Sequence, residues 1–430
     1  MRKGLRLALV FFLFGILLPA TATSAPTHAV SASSTESCLE YPRNPVLNAS
    51  EGYTYNTSTG TWFAYNNTYQ EPTVMGTAGG FRMWYAGYLG GVQGIYTATS
   101  KDGGNWTVDS TPVLMSGPNG SWDHSALFAP SVLYNGTGYI MYFRASSGSI
   151  YSRSIGLAFS SDGVHWREYA NNPVLKPGPS AYDSNWIYSA DVILWNNSYY
   201  MWYAGQEPIP KNQSQIWYFS AIDLATSKDG VHWSKYAGNP VFLGAPDEIQ
   251  YTTVNVGHPD VLKVGGALAM LYDDGQSVRY AVSGDGLHWT PVSGDLVNAS
   301  QAYWKSDGVV GPAGLLSGTK LTLWYSGSSP VKSSSSSYIE GIGLATCNLA
   351  FAVVSTTTTA TLTSTFTTTH ETTLFSTTTA TITSTIETTL VSTTTVSELA
   401  TAVPWLAGTT SAGAILALAL LYLLVRRRPR

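Results

Sequence analysis

The chain has few charged residues and no excess of basic ones. Only 11% of its 430 residues are Asp, Glu, Lys or Arg, and the formal net charge is -4. Nucleic acid is bound through a clustered positive field, so this composition excludes it as a partner. The sequence also lacks the Cys/His spacing of a metal site, a phosphate-binding loop and a Ser/His/Asp order. It therefore predicts no metal and no cofactor.

Both ends of the chain carry apolar segments with basic flanks. Residues 1–25 begin with basic residues, continue with an apolar run too short to span a bilayer and end in small residues, which is the pattern of a secretory signal peptide. Residues 402–425 are long enough for a hydrocarbon core of about 30 Å. The basic tail 426–430 follows at once. The positive-inside rule then predicts a cell-surface, single-pass membrane protein with an extracellular N-terminal head.

The segment 355–401 is mostly threonine and contains neither Gly nor Pro. Such a composition cannot bury a core, so it predicts an extended stalk that can carry O-glycans. A flexible linker would serve the same function, and the apolar residues that alternate with Thr leave a β-like association open. The head, residues 36–349, contains nine Asn-X-Ser/Thr sequons, which predict a glycoprotein in an exterior setting.

Four close copies of one short segment stand in the head. They read SKDGGNW, SSDGVHW, SKDGVHW and SGDGLHW and end at Trp106, Trp166, Trp233 and Trp289. Each closes a unit of alternating apolar strands with tight turns, which predicts a four-stranded antiparallel meander. The apolar segment that forms the second strand of such a meander occurs five times. The sequence therefore predicts an all-β fold, a five-bladed β-propeller. Because the motif repeats from blade to blade, we expect it to serve packing rather than one site.

A recurrent proline sets the register of the innermost strands. It lies eleven residues before the Met or Leu at the centre of strand two, at Pro72, Pro130, Pro259 and Pro312. Blade three departs from this spacing, because Asp191 lies ten residues before Met201. Two interpretations follow: a turn residue is missing, or an Asp has replaced the Pro.

The only two cysteines predict how the ring closes. Blade five lacks a fourth strand, while the N-terminal segment CLEYPRNPVL has no partner before it. By spacing, Cys38 takes the Trp position of a fourth strand, and Cys347 takes the Ser position of the Asp-Gly turn. These positions face each other across the hairpin of an intact blade. We therefore expect a Cys38–Cys347 disulfide that replaces the missing turn, in an oxidising compartment.

Strand direction separates two faces of the disc. The Asp-Gly turns lie on one face, and the loops that join blades or connect strands two and three lie on the other, here called the loop face. Carboxylates alternate with aromatic rings there, as a sugar site requires, although such rings also serve as packing lids. The residues predicted to bind substrate are Asp123, His124, Asp183, Trp186, Glu207, Trp217, His258, Trp304 and Asp307.

Several segments of the head resemble those of the five-bladed propeller glycosidases. They are MWYAG at residues 83–87 and 201–205, NNPVL at 171–175, GSWD at 120–123 and the Asp-Gly turns. This superfamily contains arabinanases, invertases and levansucrases, in glycoside hydrolase families such as 43, 32 and 130. The resemblance covers the whole head and implies a carbohydrate partner. It also implies carboxylates at the start of the innermost strands, often just before a Pro, where an acid and a base or nucleophile flank the scissile bond.

The sequence departs from that pattern at most of these positions. The residue before the Pro is Glu71, Ala129, His258 or Gly311 in blades one, two, four and five. Only Glu71 keeps a carboxylate there, while Ser131 stands where the superfamily usually has an Asp. Asp191 matches the superfamily's auxiliary Asp, and Asp260 follows a His-Pro pair where a Glu is expected. The predicted catalytic residues are therefore Glu71, Asp191 and Asp260, which the loop acids Asp123, Asp183 or Glu207 could complete. His258 either orients a carboxylate or donates to a sugar hydroxyl, or it is a channel residue whose hydrogen bonds are satisfied.

Three functions are compatible with the sequence. The first is a surface-anchored glycosidase that acts on extracellular glycans through a carboxylate-lined funnel. The second is a non-catalytic glycan-binding or adhesion module of the cell envelope, and the third is a purely structural envelope component. The first two differ in geometry: two carboxylates about 5 to 10 Å apart permit cleavage, whereas a Glu71 buried against an arginine favours binding.

Overall fold

The computed structural model describes most of the head and short segments around it. The described residues are 29–32, 38–48, 53–56, 61–64, 68–148, 153–178, 181–212, 215–244, 256–300, 302–330, 338–349, 351–354, 361–370 and 376–385. The predicted signal peptide, membrane helix and basic tail lie outside them. Among the residues just given, no helix is long and apolar enough to cross a membrane.

The chain divides into two compact units. One of them contains a hairpin of the threonine-rich segment, in which Thr361–His370 pairs antiparallel with Ser376–Thr385. The rest of segment 355–401 lies outside the described residues. The other unit contains the head.

The head is a ring of five antiparallel sheets, the blades of a β-propeller, which confirms the predicted fold. From the innermost strand outward, the four main strands of each blade are Thr68–Thr77, Gly80–Leu89, Val92–Ser100 and Trp106–Val108 in blade one; Ala126–Tyr134, Tyr139–Ser146, Ser154–Ser160 and Arg167–Glu168 in blade two; Trp186–Trp195, Ser198–Asn212, Gln215–Ser227 and Ser234–Lys235 in blade three; Gly257–Val264, Ala267–Asp273, Ser277–Ser283 and Thr290–Pro291 in blade four; Gly308–Ser317, Lys320–Pro330, Tyr338–Asn348 and Leu39–Glu40 in blade five.

A few short elements complete the described structure. Three outer strands, Leu114–Met115, Val297–Asn298 and Leu47–Asn48, pair with the third strands of blades one, four and five. Two separate strand pairs are Ala29–Ala32 with Phe351–Val354 and Tyr53–Asn56 with Thr61–Ala64. A 3-10 helix, Ala181–Asp183, precedes blade three.

The N-terminal segment completes blade five, as the cysteine spacing predicted. Leu39 and Glu40 pair with the third strand of that blade. Cys38 and Cys347 form a disulfide with their Cα atoms 4.5 Å apart. In blade one, the equivalent positions hold a Ser and a Trp that pair across the Asp-Gly turn. The predicted disulfide is therefore confirmed, and it occupies the place of a turn.

The Asp-Gly turns share one hydrogen-bond pattern, which explains why these residue types recur. In blade two, Gly163 has a φ of +76°, and its amide donates to Ser160 Oγ at 2.9 Å. Asp162 Oδ1 accepts from the amides two and three residues further on, at 2.9 and 2.8 Å. Trp166 packs edge-to-face on Trp84 of blade one, with ring centroids 6.3 Å apart. The motif therefore serves the turn and the packing between blades.

A second set of contacts joins each blade to the turn of the next. In four blades a Trp or Tyr of strand two donates to the carbonyl of a turn glycine at 2.6 to 2.9 Å: Trp84 to Gly163, Tyr142 to Gly230, Trp202 to Gly286 and Trp324 to Gly103. Blade four has Leu271 at this position, and the blade that follows it has the disulfide instead of a turn. Leu271 packs in the same apolar cluster as Cys347. Blade four thus has no donor side chain at the one place where the following blade has no turn carbonyl to accept a hydrogen bond.

We expect Tyr142→Phe to lower the free energy of unfolding by about 1 to 2 kcal/mol, because the variant leaves the buried Gly230 carbonyl without its partner. Urea denaturation measures the change. Tyr134→Phe is the matched control, since Tyr134 is 51% exposed and its hydroxyl bonds only the nearby Gly136 carbonyl. Equal losses in the two variants would show that the contact between blades is not the cause.

The innermost strands of four blades bulge at the residue before the proline. The bulge residues Glu71, Ala129, His258 and Gly311 have φ angles between +43° and +60°. Strand pairing shifts at each of them, so two residues stand opposite one on strand two. The bulge residues of successive blades therefore meet around the propeller axis.

Blade three corrects both interpretations that the sequence spacing suggested. Ala190 takes the proline position, eleven residues before Met201, and pairs with Tyr203. No turn residue is missing, and Asp191 stands one position later than the proline. Because alanine keeps the N–H that proline lacks, this strand stays in the ladder here, and its register shifts at Tyr188 instead.

Candidate functional site

A narrow cavity lies on the propeller axis, lined by the innermost strands of all five blades. Its lining contains the three predicted catalytic residues, Glu71, Asp191 and Asp260, together with His258. The cavity holds about 30 Å³, which is room for about one or two water molecules. Pockets that bury a small-molecule ligand hold about 300 Å³ or more. A sugar ring therefore does not fit in this cavity.

The Glu71 carboxylate is buried, with its side chain 6% exposed, and both oxygens have partners. Oε2 accepts from the Ala129 amide at 2.8 Å, and Oε1 lies 3.1 Å from His258 Nε2. Arg144 Nη2 lies 3.3 and 3.4 Å from the two oxygens. Burial alone would raise the pKa of Glu71, but Arg144, His258 and the Ala129 amide outweigh it and lower the pKa to about 2. Glu71 is therefore ionised throughout the neutral range.

His258 connects Glu71 to a second carboxylate. Its Nδ1 lies 2.8 Å from Asp273 Oδ2, and its side chain is 5% exposed. Burial lowers the pKa of His258, but Asp273 and Glu71 together raise it well above the usual range. The imidazolium form donates from both nitrogens. This geometry suits the predicted role of orienting a carboxylate, and a role in a reaction stays a prediction.

The polar groups of the site also bond the amides that the bulges turn out of the sheets. A bulge residue leaves the strand ladder, so its N–H needs another acceptor. In each of the four blades the preceding blade supplies it, at 2.7 to 3.0 Å: Ser326 Oγ for Glu71, Glu71 Oε2 for Ala129, Ser189 Oγ for His258 and Asp273 Oδ2 for Gly311. The carboxylates of Glu71 and Asp273 therefore hold neighbouring blades together.

Asp191 and Asp260 make the same kind of contact between blades, with amides that lie beyond the bulges. Asp191 Oδ2 accepts from the Val261 amide at 2.9 Å, and Asp260 Oδ2 accepts from the Gly314 amide at 2.8 Å. Burial raises the pKa of both groups, and the nearby Asp191 raises that of Asp260 further, well above its usual range. Two neighbouring, partly buried carboxyls thus avoid carrying two full charges.

A carboxyl group that the sequence reasoning missed, Glu340, lies near Glu71. It stands on the third strand of blade five, opposite Ser328. Burial first, and then the charge of Glu71, raise the pKa of Glu340 to about 8. Within the described part of the chain its Oε2 has no hydrogen-bond partner. A single acid in the otherwise uncharged segment YIEGIGLATC was the available signal, and no motif marks it.

The other predicted substrate-binding residues are not part of the cavity lining. Four of them are at most 5% exposed: Asp123, Asp183, Trp186 and Trp304. Asp183 forms an ion pair with Lys235, and the Trp304 ring packs on Tyr325 with centroids 5.6 Å apart. The structure gives these residues internal contacts, and contact with a substrate stays a prediction for them.

The remaining four lie in different settings. His124 is half-buried and contacts the Ser121 carbonyl at 2.8 Å, while Asp307 is exposed. The side chains of Glu207 and Trp217 lie outside the described residues. The structure thus brings together Glu71, His258 and the two inner aspartates, and it leaves the loop residues apart from them.

Five antiparallel blades, with polar side chains gathered where their innermost strands meet, define a propeller of the glycoside hydrolase type. Residues 112–363 match the model of glycoside hydrolase family 130, described as beta-1,4-mannooligosaccharide phosphorylase. This is more than half of the chain, and the chain belongs to that family. The resemblance predicted from the repeats is confirmed.

Solved structures share this fold at low sequence identity, and a further protein is similar over part of the sequence. The crystal structure of a glycosyl hydrolase from Bacteroides ovatus is 16% identical, with a TM-score of 0.53 over 73% of this chain and 94% of that one. A second, described as "The GH130 family of mannoside phosphorylases contains glycoside hydrolases that target beta-1,2 mannosidic linkages in Candida mannan", is 16% identical, with a TM-score of 0.52 over 73% and 94%. Uncharacterized protein MT1551 of Mycobacterium tuberculosis (strain CDC 1551 / Oshkosh) is 22% identical over 244 residues, which are 53% of this chain and 77% of that protein.

Proposed function

We propose that the head is a glycan-binding module of the cell surface that does not cleave its ligand. One observation carries this proposal: Glu71, the one carboxylate kept at the family's position before the proline, is buried against Arg144 and bonded to two other groups. Its charge serves the contacts between blades, and the cavity beside it admits no sugar ring. Family membership supports a carbohydrate ligand, because the family is described by an activity on mannooligosaccharides.

The proposal includes attachment to the exterior of the cell. The basic and apolar start of the chain, the apolar segment 402–425 and the basic tail support it. A disulfide is the kind of bond that persists in an oxidising exterior compartment. Exposed sequon residues such as Asn105, Asn119 and Asn135 offer acceptors for N-glycans.

Glycoside cleavage is a second candidate function, and a specific observation favours it. At neutral pH the pKa of about 2 leaves Glu71 ionised, while the pKa of about 8 leaves Glu340 mostly protonated. Two carboxyl groups with opposite protonation states are what an acid and a base or nucleophile require. In this alternative Glu340 would donate the proton, and Glu71 would act after release from Arg144 and His258.

A glycan panel measured for both binding and product release distinguishes the two functions. The panel contains neutral and acidic oligosaccharides, β-linked mannooligosaccharides among them, each with and without inorganic phosphate. The proteins are the full chain, Glu71→Gln, Glu340→Gln and the control Asp295→Asn, which removes a carboxylate paired with Arg279 away from the axis.

We expect the full chain to bind at least one glycan and release no product, with the affinity unchanged within about twofold in Glu340→Gln and Asp295→Asn. Product release that both Glu71→Gln and Glu340→Gln abolish, and that Asp295→Asn keeps, would make cleavage the function. No binding to any glycan by the folded chain would overturn both candidates.

A further inference from the structure

A buried cluster in blade three brings four polar side chains together, away from the axis. Asp183 comes from the 3-10 helix before the blade, Tyr203 from strand two, Asp223 from strand three and Lys235 from strand four. Lys235 Nζ forms an ion pair with Asp183 Oδ2, and the Tyr203 hydroxyl donates to the same oxygen at 3.0 Å. Asp183, Tyr203 and Asp223 are fully buried, and Lys235 is 17% exposed.

The register of the strands explains why these groups converge. Tyr203 stands directly opposite Asp223 on the neighbouring strand. Lys235 stands opposite Ala225, which is two residues from Asp223 and therefore on the same face of the sheet. Asp223 and Lys235 are thus diagonal neighbours, within reach of long side chains.

The cluster has more negative groups than its one lysine can pair. Asp183 Oδ1 and both oxygens of Asp223 are buried without a hydrogen-bond partner in the described part of the chain. A buried and unpaired carboxylate is costly, so a proton is retained there. Burial first, and then the charge of Asp183, raise the pKa of Asp223 to about 7. Asp223 can therefore both give and take a proton near neutral pH.

Blade five contains the same kind of ion pair, but the lysine and the carboxylate have exchanged positions. Lys305 Nζ lies 2.6 Å from Glu40 Oε1, and the Tyr325 hydroxyl donates to Glu40 Oε2 at 2.8 Å. Opposite Tyr325, where blade three has Asp223, blade five has Gly343. Blade five therefore has the lysine, the carboxylate and the tyrosine, and it lacks the third acid.

Packing shows why blade five has no third acid. Gly343 stands where blade three has Asp223, and a Cβ atom on Gly343 would collide with the ring of Trp304. Blade five therefore admits no side chain at this position, which Asp223 fills in blade three.

We propose that Lys235 and Asp183 condense into an intramolecular amide, a covalent cross-link between their side chains, with Asp223 relaying the protons. The Lys235 ammonium passes a proton directly to Asp183, which it contacts, so the pair becomes a free amine and a neutral acid. The free amine attacks Cγ of Asp183, so an N–C bond forms and a C–O bond breaks. The oxygen leaves as water with protons passed through Asp223, and Asp223 ends protonated as it began.

The surroundings favour this reaction. The Tyr203 hydroxyl bonds the carboxyl under attack and can stabilise the oxyanion that develops there. Burial excludes the water that would reverse the step, and the fold holds the two reacting groups in contact. The product also replaces a buried ion pair by a neutral amide, which removes the cost of keeping two charges out of water.

Peptide mass mapping of the full chain tests the proposal. The protein is unfolded, its disulfide is reduced, and it is digested. We expect a branched peptide that joins Asp183 to Lys235 and is lighter than the two linear peptides together by the mass of one water molecule. The peptides with Glu40 and Lys305 serve as the internal control, and we expect them to stay linear because no third acid stands beside that pair.

Three variants make the test specific. Lys235→Arg is expected to give only linear peptides. Asp183→Asn can still react, but it would release ammonia instead of water, so the mass lost changes accordingly. Asp223→Asn keeps the ion pair and is expected to form the branched peptide about a hundredfold more slowly.

Two results would overturn the proposal. Only linear peptides from the folded wild-type chain would show that Lys235 and Asp183 form no more than an ion pair. A branched peptide that forms as fast in Asp223→Asn as in the wild type would show that Asp223 does not relay the protons. Circular dichroism confirms that each variant is folded before its peptides are compared.

Discussion

We expect the double variant Cys38→Ser, Cys347→Ser to lose about 5 kcal/mol of unfolding free energy. The disulfide joins positions separated by 309 residues, and closing a loop of this length removes that much conformational entropy from the unfolded chain in the loop-closure model. Serine nearly matches cysteine in size, so the cluster around Leu271 keeps its packing. The loss is large because no Asp-Gly turn joins the two strands in blade five.

Urea denaturation of the variant and of the wild type, each with and without reductant, measures this effect. We expect reductant to lower the midpoint of the wild type to that of the variant and to leave the variant unchanged. A variant as stable as the oxidised wild type would show that pairing of Leu39 and Glu40 with the third strand is sufficient to close the ring.

We expect Glu71→Gln to lower the free energy of unfolding at pH 7 by about 3 kcal/mol. The pKa of Glu71 falls from its usual 4.5 to about 2 in the folded protein. A carboxylate with a lowered pKa contributes stability that is fully present above the unfolded-state value and is lost as the pH falls through the folded-state value. The amide of Gln keeps an acceptor for the Ala129 amide but loses the attraction to Arg144 and His258.

The pH dependence separates this electrostatic effect from a steric one. Denaturation at pH 7, 5 and 3 should show a deficit that is nearly constant down to about pH 5 and shrinks toward pH 2. Asp307→Asn is the control, because Asp307 is exposed, and we expect no difference from the wild type at any of these values. An equal deficit at pH 3 and pH 7 would mean that the amide disturbs the packing of the bulges instead.

The fold could be predicted because its signals are local and repeated. Alternating apolar strands and the Asp-Gly turn each lie within a few residues, and several copies fix the number of blades. The disulfide could be predicted for the same reason, since the intact hairpins show which positions face each other. The prediction for blade three was wrong because a single spacing cannot distinguish a lost residue from an alanine, Ala190, in the place of the proline.

The site could be predicted only in part, because its contacts join distant parts of the chain. Glu71 and His258 were recognisable beside their prolines. Their partners Arg144, Asp273 and Glu340 stand on second and third strands of three different blades, where nothing in the local pattern marks them. The bulges that bring these groups together depend on packing around the whole ring.

The disulfide also decides how the head bears tension. In a chain anchored at its C-terminus as proposed, a pull would enter the propeller at the end of the third strand of blade five. Cys347 is one residue from the end of that strand, and Cys38 binds it covalently to the N-terminal strand. The load would pass into two strands at once, so blade five would not peel from its outer edge. A surface protein that holds a ligand under shear would keep its ring closed as long as that bond is intact.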